Sequence, residues 1–236
     1  MQFEQKENYT IDDLLKIMEI LRSPEGCPWD REQTHRSIRN NLIEETYEAV
    51  EAIDTSDSKL LCEELGDVLL QVVFHAQLEK EKGGFDFSNV VDGVAKKLVE
   101  RHPHVFGDVT VKNSDEVLVN WDAIKRRTKG RRTVADVLEG VSPALPALMR
   151  SQKLEKKAAK AAGKTLEKET SLSQADKAVR KIERLPDSAG EEEKLRCVGE
   201  LLFSAAALSE TLGVEAEQAL AQYCDSFVRS YQEKNK

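Results

Sequence analysis

Apolar residues in this 236-residue chain recur three and four positions apart almost from end to end, the spacing of one face of an α-helix. Ile11, Leu14, Leu15, Met18 and Leu21 set the pattern, and Asp12 and Asp13 suit the positive N-terminal end of the helix dipole. Further helices are expected at about 34–53, with Ile38, Leu42, Ala49 and Ile53 inward, and at about 58–82, stopped by Gly83 and Gly84. Ser88 is expected to cap a helix carrying Val91, Val94, Ala95 and Leu98, which stops near His102 because Pro103 disfavours helical geometry before it. Asn113 and Glu116 form a capping-box pattern ahead of Val117, Trp121 and Ile124, which share one face, with Trp121 read as core. Residues 23–28 form a breaker-rich loop, and only 104–112 leaves room for short extended structure. After the basic run 125–132, helices resume at about 143–162, 174–185, 191–212 and 215–234. The fold class that follows is all-α: helices on short connections form two antiparallel bundles, one per half.

The halves echo one another. Residues 65–78 parallel 198–212, each a small residue and an acid followed by an apolar helix. Their charge differs sharply. Residues 1–130 hold 17 Lys+Arg against 26 Asp+Glu, net −9, whereas 131–236 hold 18 against 17, net +1. A net acidic chain with 6% aromatic residues does not fit a general nucleic-acid binder, whose affinity rests on basic phosphate contacts. No apolar run approaches the roughly 18 residues of a membrane span, and the N-terminus shows no signal-peptide pattern, so a cytoplasmic protein is expected. Cys27, Cys62, Cys197 and Cys224 form no CxxC pair and are read as reduced thiols. His102 and His104, flanking Pro103, are read as making local hydrogen bonds rather than ligating a metal.

The excess acid is concentrated in two expected helices. Glu44, Glu45, Glu48 and Glu51 lie in the second helix, and Glu63, Glu64 and Asp67 in the third. At about 100° per residue, Glu45 and Glu48 sit about 60° apart around their axis, and Glu64 and Asp67 do the same. Packing Leu42, Ala49 and Ile53 against Leu61, Leu65, Val68 and Val72 would bring the two pairs together. Solvated acid runs usually pair with bases one turn on, yet Glu44, Glu45 and Glu48 have no Lys or Arg at those positions. Asp67 stands in an apolar stretch, Leu65 to Leu70. Converging carboxylates demand a cation, and oxygen-only ligands specify a hard one, Mg²⁺ with Mn²⁺ as the alternative. Such an ion commonly meets substrate phosphates, so activation of water against a phosphate is the chemistry implied. Trp29, beside Asp30 at the breaker-rich loop, is a candidate either to stack on a base or to cover the core.

Five stretches then carry a resemblance in order over about residues 10–130: GCPWDREQTHRSI, EETYEAVEAID, EELGDVLLQVVFHAQ, ERHPHVF and WDAIKRR. They resemble the MazG family of nucleoside triphosphate pyrophosphohydrolases. The resemblance implies an all-helical bundle, usually dimeric, that binds Mg²⁺ through EExxE and ExxD motifs and cleaves a nucleoside triphosphate to the monophosphate and pyrophosphate. It maps EExxE onto Glu44, Glu45 and Glu48, and ExxD onto Glu64 and Asp67. Glu45, Glu48, Glu64 and Asp67 are then the metal ligands, with Glu44 positioning or deprotonating the attacking water. Arg101 and Lys125 correspond to family residues that contact the triphosphate. Glu100 stands where a second Arg is common.

The second half resembles the C-terminal domain of two-domain members but departs from the motifs. Arg180, Lys181 and Arg184 occupy the EExxE positions, and Cys197 and Glu200 those of ExxD. The expected organisation is a catalytic domain at 1–130, a basic linker at 131–145 and a degenerate domain at 146–236, kept for folding or dimerisation. The leading expectation is an enzyme acting on nucleoside triphosphates, with the housecleaning of damaged nucleotides as its expected setting. A nucleotide-sensing protein with little turnover and a purely structural helical dimer are the alternatives.

Overall fold

The computed structural model describes residues 3–128 and 133–234. Among the described residues no strand forms, and the chain divides into two compact units, Met1–Val117 and Leu118–Lys236. No single helix among them is long and apolar enough to cross a membrane, and all four cysteines are free thiols.

In the first unit, helix α1 (Ile11–Leu21) opens on a capping box in which Thr10 and Asp13 satisfy each other's backbone N–H groups. Helix α2 (Pro28–Glu32) begins on the last residue of the expected loop: Pro28 takes the first helical position, where its missing N–H costs nothing. Helix α3 (Arg39–Asp54) begins later than the periodicity predicts. Thr34 and Ser37 bond each other's backbone N–H groups, which diverts residues 34–37 into a turn. Asp57 caps α4 (Ser58–Glu81), and Gly83 supplies the left-handed residue (φ 74) that ends it. Asp86, rather than Ser88, caps α5 (Phe87–Arg101), in a reciprocal box with Asn89. No extended element forms at 104–112. Instead α6 (Pro103–Phe106) starts directly after His102, again with proline in the first helical position.

Met18, Ile38, Val73, Phe74 and Leu78 make the core, with Leu14, Leu15, Leu70 and Phe87 packed around it. Each side chain of this kind contributes on the order of 2 kcal/mol by leaving water. Burial corrects part of the expected pattern. Ala49 and Ile38 are inward, but Ile53 is 59% exposed, and Ala52 takes the buried place beside it. Leu65 is exposed too, so α3 meets α4 through small residues at this level. Val91, Val94 and Leu98 of α5 are each 46% exposed, leaving an uncovered apolar face.

Arg22, at the end of α1, holds three segments together. It forks onto both oxygens of Glu81 (2.8 and 2.7 Å), donates to the Asp30 carbonyl, and lies 5.4 Å from the centre of the Phe74 ring.

Helix α7 (Ser114–Thr128) crosses the boundary between the units. Asn113 accepts from the Glu116 N–H, while the Glu116 carboxylate accepts from Lys112, one residue before the position a strict capping box uses. The second unit continues with α8 (Val134–Glu139), which lies in the segment read as linker, then α9 (Ala147–Ala161), α10 (Lys168–Glu183), α11 (Glu191–Thr211) and α12 (Ala216–Lys234). Helix α10 packs on α11 and α11 on α9. Buried Gln152 ties α9 to the α11–α12 turn by donating to Glu210 and the Val214 carbonyl and accepting from the Ala216 N–H.

Candidate metal and nucleotide site

The acids are positioned by one seam. Helices α3 and α4 run antiparallel after the tight turn at 55–57, where Ser56 adopts φ 57 and the Asp57 N–H donates back to the Ala52 carbonyl. Side chains across the seam give its register: His35, just before α3, meets His75, Glu45 faces Asp67, and Glu48 faces Glu64. Ala49 and Ala52 are the residues of α3 that bury fully, and their small side chains let the two backbones approach.

One carboxylate oxygen from each of Glu45, Glu48 and Glu64 lies within 4.8 Å of the others. Glu64 is only 8% exposed, Glu45 and Asp67 are half-buried, and Glu48 faces solvent. Burial pushes the Glu64 carboxyl above the ordinary glutamate range, and the charges of Glu48, Asp67 and Glu63 push it further. Burial also raises Glu45, followed by the charges of Asp67, Glu48 and Glu44. Every charged group acting on these two among the described residues is another acid. A set of converging, mutually repelling oxygens is the donor set of a hard divalent cation, which would relieve the repulsion and take oxygen ligands only. The residues present fit such an ion.

The other predicted site residues are spread over the fold. Glu44 precedes Glu45 on α3 and is exposed. Arg101 closes α5 and is half-buried. Trp29 lies on α2 with its indole 57% exposed, while its carbonyl accepts from Gln33. Lys125 falls within α7, and its side chain lies outside the described ones. His102 donates from Nδ1 to the Leu98 carbonyl (2.6 Å), the local hydrogen bond expected of it.

The family model of the MazG nucleotide pyrophosphohydrolase domain matches residues 33–106, the stretch containing the whole carboxylate seam. The nucleoside triphosphate pyrophosphohydrolase of Escherichia coli K12 is 40% identical over 232 residues, covering 94% of this chain and 86% of that one. The chain belongs to the MazG family. The nucleoside triphosphate pyrophosphohydrolase/pyrophosphatase MazG of Thermotoga maritima is 39% identical over 220 residues, 93% of this chain and 83% of that one. A crystal structure of a MazG-related protein from Thermotoga maritima covers 49% of this chain and 99% of its own, at 28% identity and a TM-score of 0.43.

Within this MazG chain one polar cluster escaped the sequence reading. His35, His75 and Glu79 join into a hydrogen-bonded line on the seam that carries the acids. The i, i+4 spacing of His75 and Glu79 was the available signal, but His35 enters only through the antiparallel pairing of α3 with α4.

Proposed function

We propose that this protein hydrolyses nucleoside triphosphates between the α- and β-phosphates, releasing the monophosphate and pyrophosphate. The reading is supported by membership of a family of nucleotide pyrophosphohydrolases and by relatives of nearly the same length named for that activity. The observation that carries it is the convergence of Glu45, Glu48 and Glu64, on which only other acids act among the described residues.

Glu45, Glu48, Glu64 and Asp67 hold Mg²⁺, or Mn²⁺ in its place. When bound, the ion supplies positive charge that offsets the carboxylates and the phosphates drawn to them. Glu44, beside Glu45 but open to solvent, orients the attacking water and accepts its proton. The water oxygen bonds to phosphorus as the bond to the bridging oxygen breaks, and the electron pair leaves with pyrophosphate. Arg101 and Lys125 neutralise the charge that develops on that leaving group. The exposed face of Trp29 stacks on the base.

Residues 1–130 are the catalytic domain and 146–236 a degenerate copy joined through 131–145. The ion pair of Lys181 with Glu200, at motif positions where the first half has acids, supports that assignment. The uncovered apolar face of α5, with Val91, Val94 and Leu98, fits a homodimer. The protein acts in the cytoplasm, clearing unwanted nucleotides from the pool.

The test is a panel of ribo- and deoxyribonucleoside triphosphates with Mg²⁺. The reading requires turnover that stops on chelation and returns with Mg²⁺ or Mn²⁺. Tight nucleotide binding without turnover would mark a sensor instead.

A further inference from the structure

His35 and His75 meet Nδ1 to Nδ1 at 2.7 Å, with ring centroids 5.0 Å apart and ring planes only 6° from parallel. A centroid separation that large equals the Nδ1–Nδ1 distance plus one ring radius at either end. The two nitrogens therefore lie on the line joining the ring centres, and the rings stand edge to edge in nearly one plane. That is the geometry of an in-line N–H···N hydrogen bond with donor and lone pair aimed at each other. At the other end of His35, Nε2 lies 2.6 Å from Glu79 Oε1, and Lys82 Nζ is 3.1 Å from the same oxygen.

The proton positions follow. Lys82 first, then His35, hold the Glu79 carboxyl below the ordinary glutamate range, so it is an acceptor and His35 Nε2 carries hydrogen. In neutral His35 the Nδ1 lone pair is then free to accept, and His75 Nδ1–H donates to it. One added proton is tolerated, because the pair still places a single hydrogen between the facing nitrogens and Glu79 balances the charge. A second is not: two Nδ1–H groups would face each other at hydrogen-bond distance. Burial, followed by the neighbouring His35, holds the His75 imidazole below the ordinary histidine range.

The charged groups on the neighbouring elements are otherwise engaged. From α1, Glu19 pairs with Lys80 and Arg22 with Glu81; from α5, Asp92 pairs with Lys96; and at the start of α3, Arg39 donates to Asn40. Glu79 meets His35 directly and Lys82 acts through Glu79, while Arg36, next to His35 in the chain, is exposed.

The pair closes the end of the seam away from the 55–57 turn, and the repelling acids lie between the two. His75 lies eight residues along α4 from Asp67, about 12 Å at helical rise. Helix α3 has no side-chain cap, so its start depends on the turn that carries His35 and on buried Ile38. Without a cation, Glu45, Glu48, Glu64 and Asp67 push α3 from α4, and the histidines hold it in register. We propose that His35 and His75 are positioning residues: a proton-shared clasp that keeps α3 docked on α4 and opens when both imidazoles are protonated. That the clasp serves the metal site rests on the function proposed above, whereas the clasp itself is measured without metal or nucleotide.

The experiment follows imidazole nitrogen resonances and α3 amide exchange in the full-length metal-free protein from about pH 8 to about pH 4. The clasp requires two separated steps, the second well below the ordinary histidine range, with the protection factors of α3 amides, each rate referred to the intrinsic rate at its own pH, falling about tenfold or more across that step. His75→Asn keeps an N–H donor near the place of Nδ1 but takes up no proton, so α3 protection should stay flat through the same range. His75→Leu has no donor and should lose α3 protection already at neutral pH. Two independent ordinary histidine titrations, or α3 exchange unchanged across the second step, would overturn the proposal. So would a folded His75→Leu as protected as the wild type; should that variant not fold, the wild type and His75→Asn decide. If the clasp holds in these tests but Mn²⁺ affinity is the same in wild type and His75→Leu, the metal-site reading fails separately.

Discussion

Lys181 of α10 and Glu200 of α11 form an ion pair in the second unit, whereas in the first Glu45 of α3 lies against Asp67 of α4. Among the described residues only other acids act on Glu45 and Glu64, whereas in the second unit a tethered ammonium does for one carboxylate what a free cation would do. On the function proposed above, the second unit is expected to bind no divalent ion. Chelation should speed amide exchange in α3 and α4 and leave α10 and α11 unchanged. Lys181→Ala should cost the second unit less than about 1 kcal/mol, because both partners are more than a third exposed, and should leave hydrolysis at the wild-type rate.

Replacing a carboxylate of the seam should move activity and stability in opposite directions. Glu64→Gln or Asp67→Asn removes a ligand, and hydrolysis should fall about 100-fold or more at fixed Mg²⁺. The same change removes one of several repelling charges, so the metal-free variant should melt at or above the wild-type temperature while losing the stabilisation that Mg²⁺ confers. Thermal melts with and without Mg²⁺ check both halves of this expectation.

The pH dependence has a definite sign. Glu45 and Glu64 have raised carboxyl pKa values in the folded chain, so between the unfolded and folded values the native state binds more protons. Their contribution therefore favours folding at low pH and is lost as pH rises through that window. Asp13 opposes it: the hydrogen bond from Lys6, then those from Thr10, lower it to about 2, so its contribution is present above the ordinary aspartate range and disappears as pH falls towards about 2. Metal-free Asp13→Asn should thus show the rise in stability on acidification more clearly than the wild type. Mn²⁺ affinity should weaken on acidification sooner than ordinary glutamates would allow, which calorimetry across pH measures directly.

Arg22 is the most exacting single position outside the seam. Its side chain is 6% exposed and serves Glu81, the Asp30 carbonyl and the Phe74 ring together. Arg22→Ala should destabilise the first unit by about 2 kcal/mol or more in a urea melt. Arg22→Lys should recover little, because an ammonium cannot fork onto a carboxylate and also reach a carbonyl.

What could be read in advance depended on whether sequence neighbours decide it. Glu45 and Glu48 share a helix face by periodicity alone, and the absence of a base one turn away already argued against a solvated run. The start of α3 was misplaced because Thr34 and Ser37 bond each other's backbone in competition with the helix. Ala52 replaces Ile53 in the interior because close approach of α3 to α4 favours the smaller side chain, a matter of packing rather than period. Pro28 reads as a breaker and also as the first residue of a helix, and the chain uses it as the second. His35 and His75 stand forty positions apart, so only the antiparallel seam brings them together.

The central claim is cleavage between the α- and β-phosphates at the carboxylate seam of the first unit. Phosphorus-31 spectra of a nucleoside triphosphate incubated with Mg²⁺ and either the wild type or Glu45→Gln measure it most directly. Monophosphate and pyrophosphate signals growing with the wild type and nearly absent with the variant are the predicted result. Diphosphate with orthophosphate, or a folded variant as fast as the wild type, would contradict it.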